Sequence, residues 1–341
     1  MNQDERAPKR KQLSGPTQRD VAKLANVSQA AVSRVMANNG YVAYDVRRRI
    51  EQAADQLGYR PDQLARGLIT GQSNIIAVVM ADFANPFYPT VLDALTAAIQ
   101  DQGRQILLFN AGHDQTVDDL IPSVLQYKVA GIVVTTAVLS SNAAEMCLAS
   151  GVPVVLMNRY SSTGTTNIVS CDNHVGGKQA AETLIAAGCK NLAYIGGRQD
   201  SSTNADRRRG FLEVANVSCL NDIPVLERAF HYNWGAQAVH QLMASRPDID
   251  GIFCGDDAVA FGVLDQLRFT LGKRVPEDVS VVGFDDVPSA AWSAYNLTTI
   301  RQPLHLLVQK TIALMDSESK ADPAVHFIPG ELILRGTVRS R

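Results

Sequence analysis

Polar and aromatic side chains suited to holding a small polar ligand follow several apolar, β-branched runs of this sequence. The residues are Asn85, Phe87, Tyr88, Asn158, Arg159, Asp256 and Asp285. Carboxylates and amides accept hydrogen bonds from hydroxyl groups, arginine donates them, and an aromatic face packs against C–H groups. We expect one of Phe87 and Tyr88 to face a ligand and the other to be the buried start of the next helix. Together these residue types indicate a polyhydroxylated ligand.

A second segment with a recognisable chemistry, residues 17–36, has the pattern of two short helices joined by a tight turn. Its apolar residues recur at helical spacing on both sides of Asn26, so each helix can bury one face. Thr17 with Asp20 supplies a start signal for the first helix, and Ser28 supplies one for the second. Asn26 tolerates the left-handed backbone that the turn needs. This pattern predicts a helix-turn-helix.

In a helix-turn-helix the second helix lies in the major groove of DNA, which makes Gln29, Ala30 and Arg34 the candidate base readers. An ordinary helical hairpin would show the same pattern. A third helix is predicted over 45–57, with Gly58 as its stop. The three arginines that open this helix, at 47–49, suit contacts with DNA phosphates, or form a solvated charged turn.

The elements that must position the ligand-binding residues are strands alternating with helices. Strands are predicted at 75–80, 106–110, 131–135, 154–158, 192–196, 251–255 and 279–284, with amphipathic helical segments such as 88–102, 176–187 and 258–271 between them. This alternation predicts two doubly wound parallel sheets, in which ligands bind beyond the carboxyl ends of the strands. Neither half has a GxGxxG motif after a strand, so a dinucleotide-binding fold is not supported.

Composition and charge favour a DNA-binding head joined to a larger body. A chain of 341 residues is long enough for two or three domains. Residues 1–70 contain 12 Lys and Arg against 7 Asp and Glu, whereas the remainder contains 20 against 27. The five cysteines have no CxxC spacing, which predicts neither a disulfide framework nor a zinc site and suits the cytoplasm. Residues 1–16 are polar, so we expect a disordered arm rather than a secretory signal, and no membrane span.

The runs Asp-Val-Ala, Val-Ser and Val-Ser-Arg-Val within 20–35 resemble the head of the LacI/GalR family of bacterial transcription regulators. The chain departs from the family pattern at Asn26, Ala31 and Ala37, where Gly, Thr and Asn are common. Ala43 and Val46 replace the usual Ser and Thr, so the cap of the third helix is either weaker or supplied by Asp45. The resemblance implies DNA contacts from Thr17, Gln18, Ser28, Gln29, Ala30, Ser33, Arg34, Arg47 and Leu68.

By this resemblance the chain has a helix-turn-helix domain at 17–59, a hinge at 60–72 and an effector-binding core at 73–341. The hinge would fold on DNA, where Leu68 would insert between base pairs. The core would have two α/β lobes like those of a periplasmic sugar-binding protein, lobe one at 73–171 and 301–329 and lobe two at 172–300 and 330–341. The chain would bind a palindromic operator as a homodimer.

Motifs after the strands extend the candidate ligand site. Asn-Pro-Phe-Tyr at 85–88, Arg-x-x-Gly-Phe at 207–211 and Gly-Phe-Asp-Asp at 283–286 are similar to family motifs. The resemblance adds Thr203, Arg207, Phe230 and Gln302 to the site, with Trp234 either stacking on the ligand or serving as a structural residue. Asn158 and Asp256 exchange the amide and carboxylate common in the family, so Asp256 could replace a function lost at Asn158.

The predicted function is therefore a regulator of transcription whose effector is a sugar, sugar acid or sugar phosphate. A free sugar-binding protein for transport is the alternative, which a secretory signal would favour. An enzyme is not expected, because the sequence has no GxSxG, P-loop, HExxH or kinase signature. We expect no catalytic residue, metal or cofactor.

Overall fold

The structure is a computed structural model. It describes residues 15–36, 40–60, 73–112, 115–135, 140–160, 166–218, 222–316 and 322–340. The chain divides into two compact units, Met1–Ser73 and Asn74–Arg341. The predicted hinge helix with Leu68, and nearly all of the predicted N-terminal arm, lie outside the described residues. In the described part of the chain, no helix has the length and apolar character needed to cross a lipid bilayer.

The described residues of the first unit form three helices, and the first two match the predicted helix-turn-helix. They are α1 (Gln18–Ala25), α2 (Gln29–Met36) and α3 (Tyr44–Leu57). The Thr17 hydroxyl accepts from the backbone N–H of Asp20, whose carboxylate accepts in return from the backbone N–H of Thr17. Asn26 has a φ of 53°, and Ser28 Oγ accepts from the backbone N–H of Ala31 at 3.2 Å. Each helix start and the turn thus have the residue that their geometry requires.

Helix α3 begins one residue earlier than predicted, and Asp45 does not cap it. Ala43 occupies the cap position, and no side chain accepts a hydrogen bond there. An uncapped start costs roughly 0.5–2 kcal/mol relative to Ser or Asp. Burial of an apolar face offsets this cost, since Val21, Val32 and Ile50 are all completely buried where the three helices meet.

The second unit alternates strands and helices over its whole length. Its strands are β1 (Ile75–Met80), β2 (Gln105–Asn110), β3 (Gly131–Val134), β4 (Val154–Met157), β5 (Asn167–Cys171), β6 (Leu192–Gly196), β7 (Val225–Glu227), β8 (Gly251–Cys254), β9 (Ser280–Asp285), β10 (Thr298–Arg301), β11 (Val325–Ile328) and β12 (Glu331–Ile333). Its α-helices are α4 (Phe87–Asp101), α5 (Val117–Gln126), α6 (Ser141–Ala149), α7 (Asn173–Ala186), α8 (Ser202–Val217), α9 (Tyr232–Ser245), α10 (Asp257–Asp265) and α11 (Leu304–Asp316). A π-helical segment, Gln266–Thr270, continues α10.

Two six-stranded sheets organise this unit, as the predicted fold class requires. One has the order β11-β5-β4-β3-β1-β2 and the other the order β12-β10-β9-β8-β6-β7. All pairings are parallel except β10 with β12. We call the half built on the first sheet lobe one and the half built on the second sheet lobe two. The chain passes between the lobes after β5, after β10 and after β11.

Two helices of lobe two approach each other closely enough to require glycine. A Cβ on Gly177 of α7 would lie 2.1 Å from the carbonyl oxygen of Arg207, and one on Gly210 of α8 would lie 2.0 Å from that of His174. Both distances are far below van der Waals contact, so a side chain would force the helices apart. This contact fixes the position of α8, which carries Arg207.

Candidate functional site

The carboxyl ends of the strands in both lobes contain non-glycine residues in the left-handed region of φ. Asp82 follows β1 with a φ of 60°, Asn158 follows β4 with 78°, and Asp285 ends β9 with 120°. Such a conformation costs roughly 1–3 kcal/mol and tends to occur at ligand-binding sites. Three of the strand ends at which the sequence predicts ligand-binding residues, those of β1, β4 and β9, therefore have a strained backbone.

Arg207 is the centre of a buried polar cluster on lobe two. Its Nε donates to Asn173 Oδ1 at 2.8 Å, and its Nη1 donates to the Gly255 carbonyl at 2.6 Å. Its Nη2 lies 3.5 Å from Asp285 Oδ1, and its guanidinium lies 3.6 Å from the ring centroid of Phe284. Arg207 is only 3% exposed, and its guanidinium is already bound to residues in the wall of the site.

Three more of the predicted site residues, Gln302, Asn85 and Asp256, form hydrogen bonds in the same region. Gln302 Nε2 donates to Asp285 Oδ1 at 2.7 Å. Asn85 of lobe one donates through Nδ2 to Asp256 Oδ2 of lobe two at 2.7 Å, and to the Phe230 carbonyl at 3.2 Å. The other carboxylate oxygen of Asp256 caps α10 by accepting from the backbone N–H of Val259. The deep end of the site is thus held closed by bonds between its own residues, including one that joins the lobes.

Burial raises the pKa of both carboxyl groups in this deep cluster. The pKa of Asp285 rises to about 7, because desolvation outweighs the attraction of Arg207. The pKa of Asp256 rises to about 6 for the same first reason, although its hydrogen bonds from Val259 and Asn85 oppose the shift. Both carboxyl groups therefore change charge near neutral pH.

This titration predicts that the core becomes less stable as pH rises. Since both folded pKa values lie above the ordinary value of 3.8, the folded state binds more protons than the unfolded chain between about pH 4 and pH 7. The free energy of unfolding should fall across this window. In thermal melts from pH 5 to pH 8, Asp285→Asn should reduce the fall in melting temperature, and the exposed Asp222→Asn should not. Equal pH dependence in all three proteins would contradict these shifts.

Three buried polar atoms beside this cluster lack a hydrogen-bond partner. They are Asn158 Oδ1, Gln302 Oε1 and Arg159 Nε. A buried polar atom without a partner costs roughly 1–3 kcal/mol and requires an explanation such as an absent ligand. Two acceptors and one donor are the complement of a ligand with several hydroxyl groups, because each hydroxyl both donates and accepts.

An open cleft of about 620 Å³ has Arg159, one of these three residues, in its lining. Its lining includes Tyr88 and Arg159 from the predicted set. Phe87 is buried in the apolar core, in edge-to-face contact with Tyr88. Of the two aromatic residues, it is Tyr88 that reaches the cleft.

The other predicted aromatic and hydroxyl residues lie behind the cleft wall. Phe230 is 8% exposed, with its ring centroid 5.9 Å from the Arg207 guanidinium. Trp234 Nε1 donates to the Gly196 carbonyl at 2.9 Å, and Thr203 Oγ1 lies 2.9 Å from Ser201 Oγ. These contacts give all three residues a structural role in the walls of the site.

Contacts between the lobes bridge the mouth of the cleft. The Tyr160 hydroxyl of lobe one donates to Asp206 of lobe two, and its backbone N–H donates to Ser202 Oγ at 3.1 Å. His231 Nδ1 lies 3.7 Å from Asp82 Oδ1. Lobe closure is thus stabilised by polar contacts that a ligand or a water could replace.

Twelve residues of the cleft lining were not predicted from the sequence, and eight of these have larger polar or charged side chains or a hydroxyl at the start of α5. These eight are Asp82, Gln115, Thr116, Asp118, Tyr160, Arg198, Asp200 and His231. Most of them follow strands β1, β2, β4 and β6, so the rule that ligands bind beyond strand ends could have identified them. They lie outside the sequence motifs from which the site was predicted.

On the head, the predicted DNA-reading residues share the solvent-facing side of α2. Ser28, Gln29, Ala30, Ser33 and Arg34 are all exposed, whereas Val32 and Val35 are buried on the opposite side. Thr17 is exposed at the start of α1, and Gln18 is half-buried. Arg47 Nη1 lies 3.9 Å from Glu51 Oε1, and such an exposed pair is weak. No cluster of His, Cys, Asp and Glu among the described residues could hold a metal ion.

Comparisons with known proteins match both units. The model of "Bacterial regulatory proteins, lacI family" matches residues 17–62, and that of "Periplasmic binding proteins and sugar binding domain of LacI family" matches residues 73–333. The ribose operon repressor of Halalkalibacterium halodurans is 32% identical over 95% of this chain and 97% of its own. The structure of a CelR–cellobiose complex has 27% identity and a TM-score of 0.71, covering 94% of this chain and 99% of its own. A lac repressor dimer bound to operator has 23% identity and a TM-score of 0.85, covering 96% and 100%, and thus shares the fold.

Proposed function

Since this chain belongs to the LacI family of bacterial regulatory proteins, we propose that it is a repressor that binds a palindromic operator as a homodimer under the control of a sugar-derived effector. Membership of the family makes it a ligand-responsive DNA-binding regulator. The named relatives are repressors and regulators of transcription, and we propose that this protein binds its effector without converting it. We also propose that it acts in the cytoplasm, where bacterial DNA lies.

We propose a separate role for each of the domains predicted from the sequence. Residues 17–59 would read DNA, 60–72 would form the hinge, and 73–341 would bind the effector. Exposure of Gln29 and Arg34 on one side of α2 supports the reading role. The lobes can be more open or more closed, and an effector that binds one of these two conformations more tightly increases its population. We propose that this change is transmitted to the DNA-binding head.

The observation that supports a sugar-derived effector is the unpartnered Nε of Arg159 in the cleft lining, together with unpartnered acceptors on Asn158 and Gln302 at the ends of β4 and β10. Asn158 Oδ1 and Gln302 Oε1 need donors, and Arg159 Nε needs an acceptor. A hydroxyl group can serve either need, whereas an apolar ligand would leave all three atoms unpaired.

A thermal-shift screen of the full chain against sugars, sugar acids, sugar phosphates and nucleosides tests this proposal. A ligand at 100 times its Kd adds about 2.7 kcal/mol to the free energy of unfolding, so the melting temperature should rise clearly. We expect Arg159→Gln to abolish the rise, because this side chain lines the cleft. Arg274→Gln is the matched control, since Arg274 is exposed and its guanidinium forms an ion pair with Asp278 away from the cleft lining. No rise with any hydroxylated compound would refute the proposal.

A further inference from the structure

The open cleft extends well beyond the residues expected to hold one sugar ring. Its volume of about 620 Å³ equals that of about 20 water molecules, at about 30 Å³ each. It lies within the range of roughly 300–1,000 Å³ that holds drug-sized ligands. A single monosaccharide is much smaller than such a ligand, so it would leave a large part of the cleft filled with solvent.

The free volume lies on the outer side of the site rather than at its deep end. At the deep end, Arg207, Asp285 and Gln302 bind one another, and Asn85 binds Asp256. None of these five residues is among those that line the open volume. A ligand that contacts Tyr88 and Arg159 must therefore extend outward to fill the cleft.

The outer part of the cleft is lined from both lobes by polar residues outside the family motifs. Lobe one contributes Gln115 and Asp118, at the N-terminal end of α5, and lobe two contributes Arg198 and Asp200, after β6. Arg198 donates to Asp200 through Nε at 2.9 Å and through Nη2 at 2.5 Å. The two side chains are 64% and 65% exposed, so this pair contributes little stability, and it leaves further lone pairs and N–H groups for a ligand.

The charges of the lining favour a neutral group in this outer part. The outer part has two carboxylates, of Asp118 and Asp200, against one guanidinium group, of Arg198; the whole lining, with His231 counted as neutral, has three carboxylates against two guanidinium groups. A phosphate or carboxylate on the outer half of a ligand would therefore meet a net negative wall. A neutral hydroxylated group can instead donate hydrogen bonds to the carboxylates and accept them from the arginines without electrostatic repulsion.

We propose that the residues Gln115, Asp118, Arg198 and Asp200 form an outer subsite for a second glycosyl unit, so that the effector is a disaccharide or a glycoside of similar length. This inference rests on the proposed function, because it takes the interlobe cleft as the effector site. The inner unit contacts Tyr88 and Arg159, and the outer unit lies between the start of α5 and the Arg198–Asp200 pair.

Isothermal titration of the full-length protein tests the subsite. The probes are cellobiose, maltose, lactose and sucrose, with glucose, galactose, fructose and ribose as the single-unit comparison. We expect at least one disaccharide to bind at least tenfold tighter than each of its constituent monosaccharides. Arg198→Gln and Asp200→Asn should each weaken this disaccharide about tenfold and leave the weak binding of its constituents unchanged, as one lost charge-assisted hydrogen bond would. Arg274→Gln should change neither.

The outcomes distinguish the subsite from the function on which it rests. A monosaccharide that binds as tightly as every disaccharide would support the proposed function and overturn the subsite. Unchanged disaccharide affinity in both Arg198→Gln and Asp200→Asn would also overturn it. If none of the eight sugars binds, the subsite is overturned, while the sugar-derived effector is decided by the thermal-shift screen, which also includes sugar acids and sugar phosphates.

Discussion

Arg207→Ala is expected to lower the melting temperature of the core substantially and, because the wall behind the cleft is then disturbed, to weaken effector binding. The side chain is 3% exposed and binds Asn173, Gly255 and Asp285. Removing one partner of a buried ion pair costs about 3–5 kcal/mol, because the other charge is left without compensation. At about 2–4 °C per kcal/mol for a unit of this size, the melting temperature should fall by on the order of 10 °C.

The loss of stability caused by Arg207→Ala should increase with pH. Burial raises the pKa of Asp285 to about 7, so at pH 6 the carboxyl group is largely neutral and needs Arg207 less. The destabilisation should therefore be larger at pH 8 than at pH 6. Arg209→Ala is the control from the same helix, since its side chain is 65% exposed and forms an ion pair with Asp206. A melting temperature and an effector dose curve like those of the wild type would contradict the role of Arg207.

Arg34→Ala is expected to remove sequence-specific DNA binding while sparing most non-specific binding. Arg34 is exposed on the solvent-facing side of α2, where a recognition helix meets base edges. A bidentate arginine–guanine contact provides about 1–3 kcal/mol of discrimination, which corresponds to a loss of about 5- to 150-fold for each half-site. Mobility-shift titrations against a selected operator and a random duplex measure both quantities.

Arg47→Ala provides the contrast for this experiment. Arg47 lies in the first turn of α3, where a phosphate contact would weaken binding to all sequences alike and reduce the salt slope by about 1. If Arg34→Ala instead weakens operator and random duplex equally, Arg34 is a phosphate contact and not a base reader.

The local features of the head could be predicted because neighbouring residues determine them. Thr17 with Asp20, Asn26 and Ser28 act within three residues of their own positions. The start of α3 was less certain, because Ala43 carries no capping group and the helix relies on tertiary packing of Ile50. Sequence patterns predict caps well and uncapped starts poorly.

Strand prediction succeeded where burial on both faces produces an unbroken apolar run, as in β1 and β6. It failed for β5, β10 and the three short strands β7, β11 and β12. Strand β10 contains Thr298 and Thr299, which are buried but hydrogen-bonded, so its sequence does not look like a core strand. Strands at the sheet edges, such as β7 and β12, are only three residues long.

The composition of the site could be anticipated, but its internal pairing could not. Asn85 and Asp256 are 171 positions apart, and their hydrogen bond exists only because two separate lobes meet. The positive φ of Asp285 and the outer Arg198–Asp200 pair also depend on the folded backbone. The motifs therefore predict candidate residues for the site, whereas the bonds among these residues can be read only from the folded structure.

The central claim is that a cleft ligand controls DNA binding by the head, and fluorescence anisotropy on labelled duplexes tests it most directly. The full-length protein would be titrated into a selected two-fold symmetric duplex and a random duplex at physiological salt, with and without the carbohydrate found by thermal shift. We predict at least about a thousandfold preference for the symmetric duplex, and a change in that affinity when the carbohydrate is added. Equal affinity for both duplexes, unaltered by any carbohydrate, would contradict the account.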